Sequence, residues 1–191
     1  HITDLTQKSG FAGPSHLASA TMVVSAFSDD ALGDLDAVGV AEAIRSGRIS
    51  RPEATEAAIA RTERVNPVLN GLAYEAFDRA RARSRSAHGG FFDGVPSFMK
   101  DNSDVAGMPT MKGADAWQPS PVAADGAFSR TYLATGLNIL GKTQMSEFGF
   151  SASAEHSRLG PVRNPWDPDR TAGASSSGSA AFVAAGVVPI A

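Results

Sequence analysis

Three places in this 191-residue sequence hold residue types that could do chemistry. Lys100 closes the short apolar run Val95-Pro96-Ser97-Phe98-Met99. Lysine is rarely buried without a partner or a task. To act as a base near pH 7 it must be neutral, which needs a drop of ~3 units from ~10.4, or ~4 kcal/mol, and burial can supply that. The neighbouring Asp101 is no certain partner, because adjacent side chains on a strand point to opposite faces. On local pattern a lysine that snorkels from a strand end fits Lys100 equally well. The second place is the loop Gly173-Ala174-Ser175-Ser176-Ser177-Gly178. It has the G-x-x-x-x-G skeleton of a phosphate loop, but Ser179-Ala180 stand where Lys-Ser/Thr would have to follow. It also lacks the final glycine of a G-x-S-x-G nucleophile elbow. What remains locally is a serine-rich helix start, with hydroxyls satisfying the free N–H groups of a first turn. The third is His156, beside Glu155 in a polar stretch. A Ser-His-acid triad could be drawn through it, but nothing in the spacing requires one, and it reads as a surface histidine.

Composition narrows the partners. The formal charge is −3, so no global basic field points to nucleic acid. Thirteen of the 17 basic residues are arginine, a usage that suggests a high-GC genome. Arg79, Arg81, Arg83 and Arg85 are spaced two apart, so on a helix they spread around it instead of forming one stripe. There is no cysteine, which excludes disulfides, thiolate metal sites and a cysteine nucleophile, and fits a reducing, cytoplasmic setting. The histidines do not cluster, and no metal is expected. No apolar run approaches the ~20 residues of a membrane span.

The elements that must position these residues alternate between helix and strand, which predicts an α/β fold. Residues 1–21 show neither helical nor strand periodicity, and they are read as a vector-derived leader or tail ahead of Met22, with the folded part over 22–191. From Asp34, Leu35, Val38, Ala41 and Ile44 predict one helical face, stopped at Gly47. Ser50-Arg51-Pro52-Glu53 is a capping box, and its helix is expected to end near Val65 at Asn66-Pro67. A third helix is predicted over 74–85, with Ala73, Phe77 and Ala80 inward. Val95–Met99 reads as a strand, and Asp125 as the cap of a helix ending before Gly136. Leu137–Leu140 reads as a buried strand stopped by Gly141. Met145, Phe148 and Phe150 read as core. Asn164–Pro168 is turn chemistry, Ser179–Ala185 a small-residue helix, and Val187–Ile190 the start of another strand.

Four ordered segments together resemble one family. They are Gly94-Val95-Pro96-Ser97-Phe98-Met99-Lys100-Asp101-Asn102, Gly141-Lys142-Thr143-Gln144-Met145-Ser146-Glu147-Phe148, Leu159-Gly160-Pro161-Val162-Arg163-Asn164-Pro165-Trp166, and Gly173-Ala174-Ser175-Ser176-Ser177-Gly178-Ser179-Ala180. The resemblance is to the amidase signature family of Ser-Ser-Lys amide hydrolases, over about residues 35–191. It implies a mixed β-sheet flanked by helices, of which these residues form the N-terminal part of a single domain. It further implies that Lys100 is the base and that Ser175, preceded by a cis peptide bond, relays a proton between the base and a nucleophilic serine. Gly149, Phe150 and Ser151 match positions that line the acyl pocket. Ala174 and Ser177 stand where the family usually has glycine. The family's nucleophile and oxyanion hole lie in a Gly-Gly-Ser turn that would fall beyond Ala191, so the chain by itself is expected to be inactive. The implied substrate is a small-molecule amide, with no cofactor, no nucleic acid and no membrane partner; the missing C-terminal half of the domain is the expected partner, and a homodimer is left open. Two other readings stand beside this one: a truncated, non-catalytic binding or interaction protein, and the glutaminase-type subunit of a tRNA-dependent amidotransferase.

Overall fold

The computed structural model describes residues 22–116 and 118–191; the suggested leader lies outside the described residues. At the centre is a three-stranded mixed sheet in the order β1 (Leu72–Glu75), β3 (Asn138–Thr143), β2 (Pro96–Lys100). β1 runs antiparallel to β3, and β2 runs parallel to it. The parallel pair is reached by a crossover that contains α4 (Ala127–Ala134), as parallel neighbours require. Helices α1 (Ala37–Arg45), α2 (Arg51–Leu69), α3 (Phe77–Ser84) and α5 (Ser177–Ala184) complete the main body, while β4 (Glu155–His156) with β5 (Gly160–Pro161) and β6 (Arg163–Asn164) with β7 (Asp167–Thr171) form two small hairpins. All six residues of β3 are buried, and Phe98 of β2 meets Phe182 of α5 at 5.0 Å between ring centroids. Among the described residues no helix is long and apolar enough to cross a membrane.

The capping box forms as read: Ser50 Oγ accepts from Glu53 N–H at 3.2 Å, and Glu53 Oε2 accepts from Ser50 N–H at 2.7 Å. The helix it starts does not stop at Asn66-Pro67. Pro67 lies in the last turn, where its missing N–H removes a single bond. Fully buried Leu69 holds that turn, and Asn70, in the left-handed region at φ 53°, closes it.

Other boundaries also moved. In α1 the buried residues are Val40, Ala41 and Ala43, while Leu35 and Val38 are exposed. Steps of three fall 60° short of a full set of turns each time, so four such positions sweep half the helix circumference. Tyr74 belongs to β1, not to a helix; α3 begins at Phe77, with Phe77 and Ala80 inward as expected. Asp125 does not cap α4: its carboxylate accepts from Ala106 N–H at 2.7 Å, and Gly126 is the cap residue. Gly141 does not stop β3. A Cβ there would lie 2.2 Å from Tyr74 O, so glycine is what lets β1 come close enough to pair. The Asn164–Pro168 turn closes the β6–β7 hairpin. Residues 187–190 form no strand, and Val187 N–H instead donates to Phe182 O at the end of α5. Met145 is core, but Phe148 and Phe150 are exposed, on the short turn that follows β3.

Buried Arg61 of α2 ties the segment ahead of α1 to this body. Its guanidinium donates to both carboxylate oxygens of Asp30, at 2.8 and 2.6 Å, and to Gly186 O and Gly33 O, each at 2.7 Å. Partial burial pushes the Asp30 carboxyl up, but the Arg61 and Ser28 side chains and the Leu32 N–H outweigh it and hold the pKa at about 2.

Candidate active site

Lys100 is the last residue of β2, and Ser175 lies just ahead of α5. The two come together although they are 75 residues apart: Lys100 Nζ donates to Ser175 Oγ at 2.6 Å. The peptide between Ala174 and Ser175 is cis. Lys100 forms no ion pair with a carboxylate among the described residues, and burial alone pushes its pKa below the ordinary lysine value. A lysine in that state can accept a proton from a hydroxyl at hydrogen-bond distance.

The sheet and α5 fix the pair from both sides. Lys100 stands opposite Thr143 in the β2–β3 register. At the same end of β3, Thr143 Oγ1 lies 2.7 Å from Ser179 Oγ of α5. The start of α5 is pinned again by Gly178 N–H to Gln144 O at 3.0 Å, and Gln144 N–H in turn donates to Gly71 O at 2.7 Å. Ser175 O accepts from Ser146 N–H at 3.2 Å. The serine-rich helix start is not capped by hydroxyls as its composition suggested: Ser176 is the cap residue without a side-chain cap bond, and Ser177 Oγ turns back to Gly173 O.

Beside the pair lies a cavity of about 530 Å³ lined by Lys100, Asn102, Phe128, Tyr132, Ser176 and Ser179, among others. Gly149 lies against Ser175; a Cβ on it would be 3.9 Å from Ser175 Cβ. Phe150 is 94% exposed. Ser151 lines a separate polar cavity of about 270 Å³ with Asp115, Glu147, Glu155 and His156. His156 is buried there, contrary to its reading as a surface residue. The β4–β5 pairing sets Glu155 outward and His156 inward, where Nδ1 accepts from Arg158 N–H at 3.2 Å and lies 3.3 Å from Asp115 Oδ1. The alternating helix arginines are not assembled into a patch either, since Arg81 is paired with Glu56 and Asp78.

One element of the site was missed from sequence. Asp101 turns away from Lys100, as strand alternation allows, and meets Lys142 of β3. Lys142 is fully buried, with Nζ 3.5 Å from Asp101 Oδ1, 3.1 Å from Pro109 O and 3.1 Å from Thr110 Oγ1. Burial pushes the lysine down and the carboxyl up, and their mutual attraction opposes both shifts. The signal was a lysine directly after the apolar run 137–140 and Gly141.

A family model described as Amidase matches residues 53–191, and the chain belongs to that family. Over 168 residues it is 71% identical to a Mycobacterium leprae protein named "Putative amidase AmiC", covering 88% of this chain and 36% of that protein. It is 40% identical over 159 residues to the 6-aminohexanoate-cyclic-dimer hydrolase of Paenarthrobacter ureafaciens, covering 82% of this chain and 32% of the relative. A solved structure of a 6-aminohexanoate cyclic dimer hydrolase complexed with substrate superposes with a TM-score of 0.77 at 37% identity, covering 82% of this chain and 33% of that one. The chain thus spans about a third of the length of the curated relatives it matches.

Proposed function

We propose that the protein containing these residues hydrolyses a carboxylic amide to an acid and an amine or ammonia through an acyl-enzyme. The observation that carries this reading is the 2.6 Å hydrogen bond from Lys100 Nζ to Ser175 Oγ, at a lysine that no carboxylate holds in its charged form. A nucleophilic serine, supplied by the part of the domain outside these residues, adds through its oxygen to the amide carbonyl carbon. Its proton passes to Ser175 Oγ as the Ser175 proton passes to neutral Lys100. The tetrahedral intermediate collapses by breaking the C–N bond, and the departing nitrogen takes the proton back along the same path. Water then adds to the acyl carbon, gives up a proton by the same relay, and the serine oxygen leaves with it, releasing the acid. Backbone N–H groups next to the nucleophile would hold the oxyanion in both steps. Gly149 is assigned to the acyl side of the site by its position against Ser175, and Phe150 and Ser151, one exposed and the other lining the separate polar cavity, are assigned there by the family resemblance alone.

The test is amide turnover by the full-length protein with Lys100→Met or Ser175→Ala, across aliphatic, aryl and peptide-like amides. Both variants are expected to fold and to lose at least about 1,000-fold in kcat/KM, as expected for removing one member of a relay that acts as a unit. Turnover at the wild-type rate in either variant would refute the assignment.

A further inference from the structure

Asp101 and Lys142 do more than neutralise each other. The Asp101 carboxylate accepts from Met111 N–H at 3.2 and 3.3 Å and from Gly113 N–H, and its carbonyl accepts from Lys112 N–H at 3.1 Å. Lys142 grips the same loop two and three residues earlier, at Pro109 O and Thr110 Oγ1. The loop then reaches the turn that follows β3. Lys112 O accepts from Phe148 N–H at 2.8 Å, and Gly113 packs so closely that a Cβ on it would lie 2.5 Å from Met145 O. That turn supplies the Ser146 N–H bonded to Ser175 O. Lys112 and Phe148, at the two ends of one of these bonds, both sit in the left-handed region, at φ 55° and 49°. Such conformations persist where surrounding contacts enforce them, and they gather at functional sites.

We propose that Asp101 and Lys142 are positioning residues: their buried contact clamps the 109–113 loop, and through it the 146–149 turn, so that Ser175 is held at Lys100. This rests on the relay proposed above. Asp101 adjoins Lys100 in sequence, and Lys142 pairs with Met99 in the sheet register, so the clamp is built from the strand ends that carry the base. The bond path from Asp101 to Ser175 runs through backbone groups of the loop and turn, while the Lys112 and Phe148 side chains on it are exposed.

The experiment compares wild-type full-length protein, Lys100→Met, the apolar double variant Asp101→Leu with Lys142→Met, and an amide double variant, Asp101→Asn with Lys142→Met. Replacing both members of a buried ion pair by apolar residues of similar size is tolerated far better than removing one. The apolar double variant is therefore expected to keep a wild-type Tm and a KM within about twofold, yet to lose about 100-fold in kcat, the scale of a 1 Å misplacement. The amide double variant, which retains an oxygen for Met111 N–H and leaves no buried charge unpaired, is expected to recover about tenfold of that loss. A crystal structure of the apolar double variant should show the Lys100 Nζ–Ser175 Oγ separation opened beyond about 3.2 Å. Wild-type kcat in the apolar double variant, or a pair still in hydrogen-bond contact, overturns the proposal. If the apolar double variant does not fold, the amide double variant decides through the same two readouts, and wild-type values for both overturn the proposal. Full activity in Lys100→Met defeats the relay instead, and the crystallographic distance then still judges the clamp.

Discussion

Gly178 gives the sharpest test of how α5 delivers Ser175. A methyl group at this position would lie 2.2 Å from Gly71 O, 2.8 Å from Gln144 N and 3.0 Å from Thr143 Cβ. Two of these neighbours are backbone atoms that already bond each other at 2.7 Å, so no side-chain rotation relieves the contact. In Gly178→Ala the helix start must back away from β3 by about 1 Å to restore van der Waals distance. The 3.0 Å bond from residue 178 N–H to Gln144 O is then stretched, and the 2.7 Å Thr143–Ser179 contact with it. Overpacking of this kind costs ~1–3 kcal/mol, and the weakened hydrogen bond adds ~1 kcal/mol. Lys100 stays with β2, while Ser175 moves with α5. The full-length variant is therefore expected to lose a few degrees in Tm and about 100-fold in kcat, with KM less affected. Thermal denaturation and steady-state amide hydrolysis measure both. A stability loss with unchanged kcat would show that docking of α5 does not set the relay geometry, and no change in either would refute the close-approach argument itself.

Two further predictions follow from titrating groups. Lys100 must be neutral to accept a proton, and burial lowers its pKa, so kcat/KM should rise with pH through an acid limb below the usual lysine value of 10.5; Lys100→Arg, which stays charged, should be inactive at every pH, and measurable activity in it would sink the base assignment. Asp30, held at about 2 against an ordinary 3.8, contributes stability that is complete above about 3.8 and is lost as pH falls through about 2. Arg61→Met should cost ~3–5 kcal/mol at neutral pH and flatten this acid dependence; acid denaturation followed by circular dichroism would show an unchanged slope if the Arg61 network were not its source.

Much of this was legible in the residues themselves. The capping box, the Val95–Met99 strand ending on Lys100, and the split of Lys100 from Asp101 follow from local rules that hold wherever a strand or helix forms. The errors share a physical origin, because each turned on a packing or pairing contact that the local pattern does not encode. Leu72–Glu75 is a strand because β3 is there to pair with it. Gly141 continues a strand because Tyr74 O comes within reach, and Pro67 stays helical because buried Leu69 holds the turn after it. His156 is buried because Gly160 pairs opposite it in a hairpin that no periodicity announces. The Lys100–Ser175 contact was not derivable from spacing; it came from resemblance, and the structure brings the two atoms together.

The adjacency of Lys100 and Asp101 then explains why two lysines at one end of the sheet behave differently. Strand alternation sends Lys100 to the face that α5 covers and Asp101 to the face covered by the 109–113 loop. On the first face the lysine meets a hydroxyl and, among the described residues, no carboxylate, so desolvation acts unopposed and lowers its pKa. On the second face Lys142 is more deeply buried; burial lowers its pKa as well, but the attraction of Asp101 opposes that shift, and the contacts to Asp101, Pro109 O and Thr110 Oγ1 make the side chain an anchor. Exchanging these environments would destroy both roles: a carboxylate at Lys100 would hold it charged, and without one Lys142 would have no reason to grip the loop. One step in the chain, from residue 100 to residue 101, thus separates the proposed base from the proposed clamp that positions its partner.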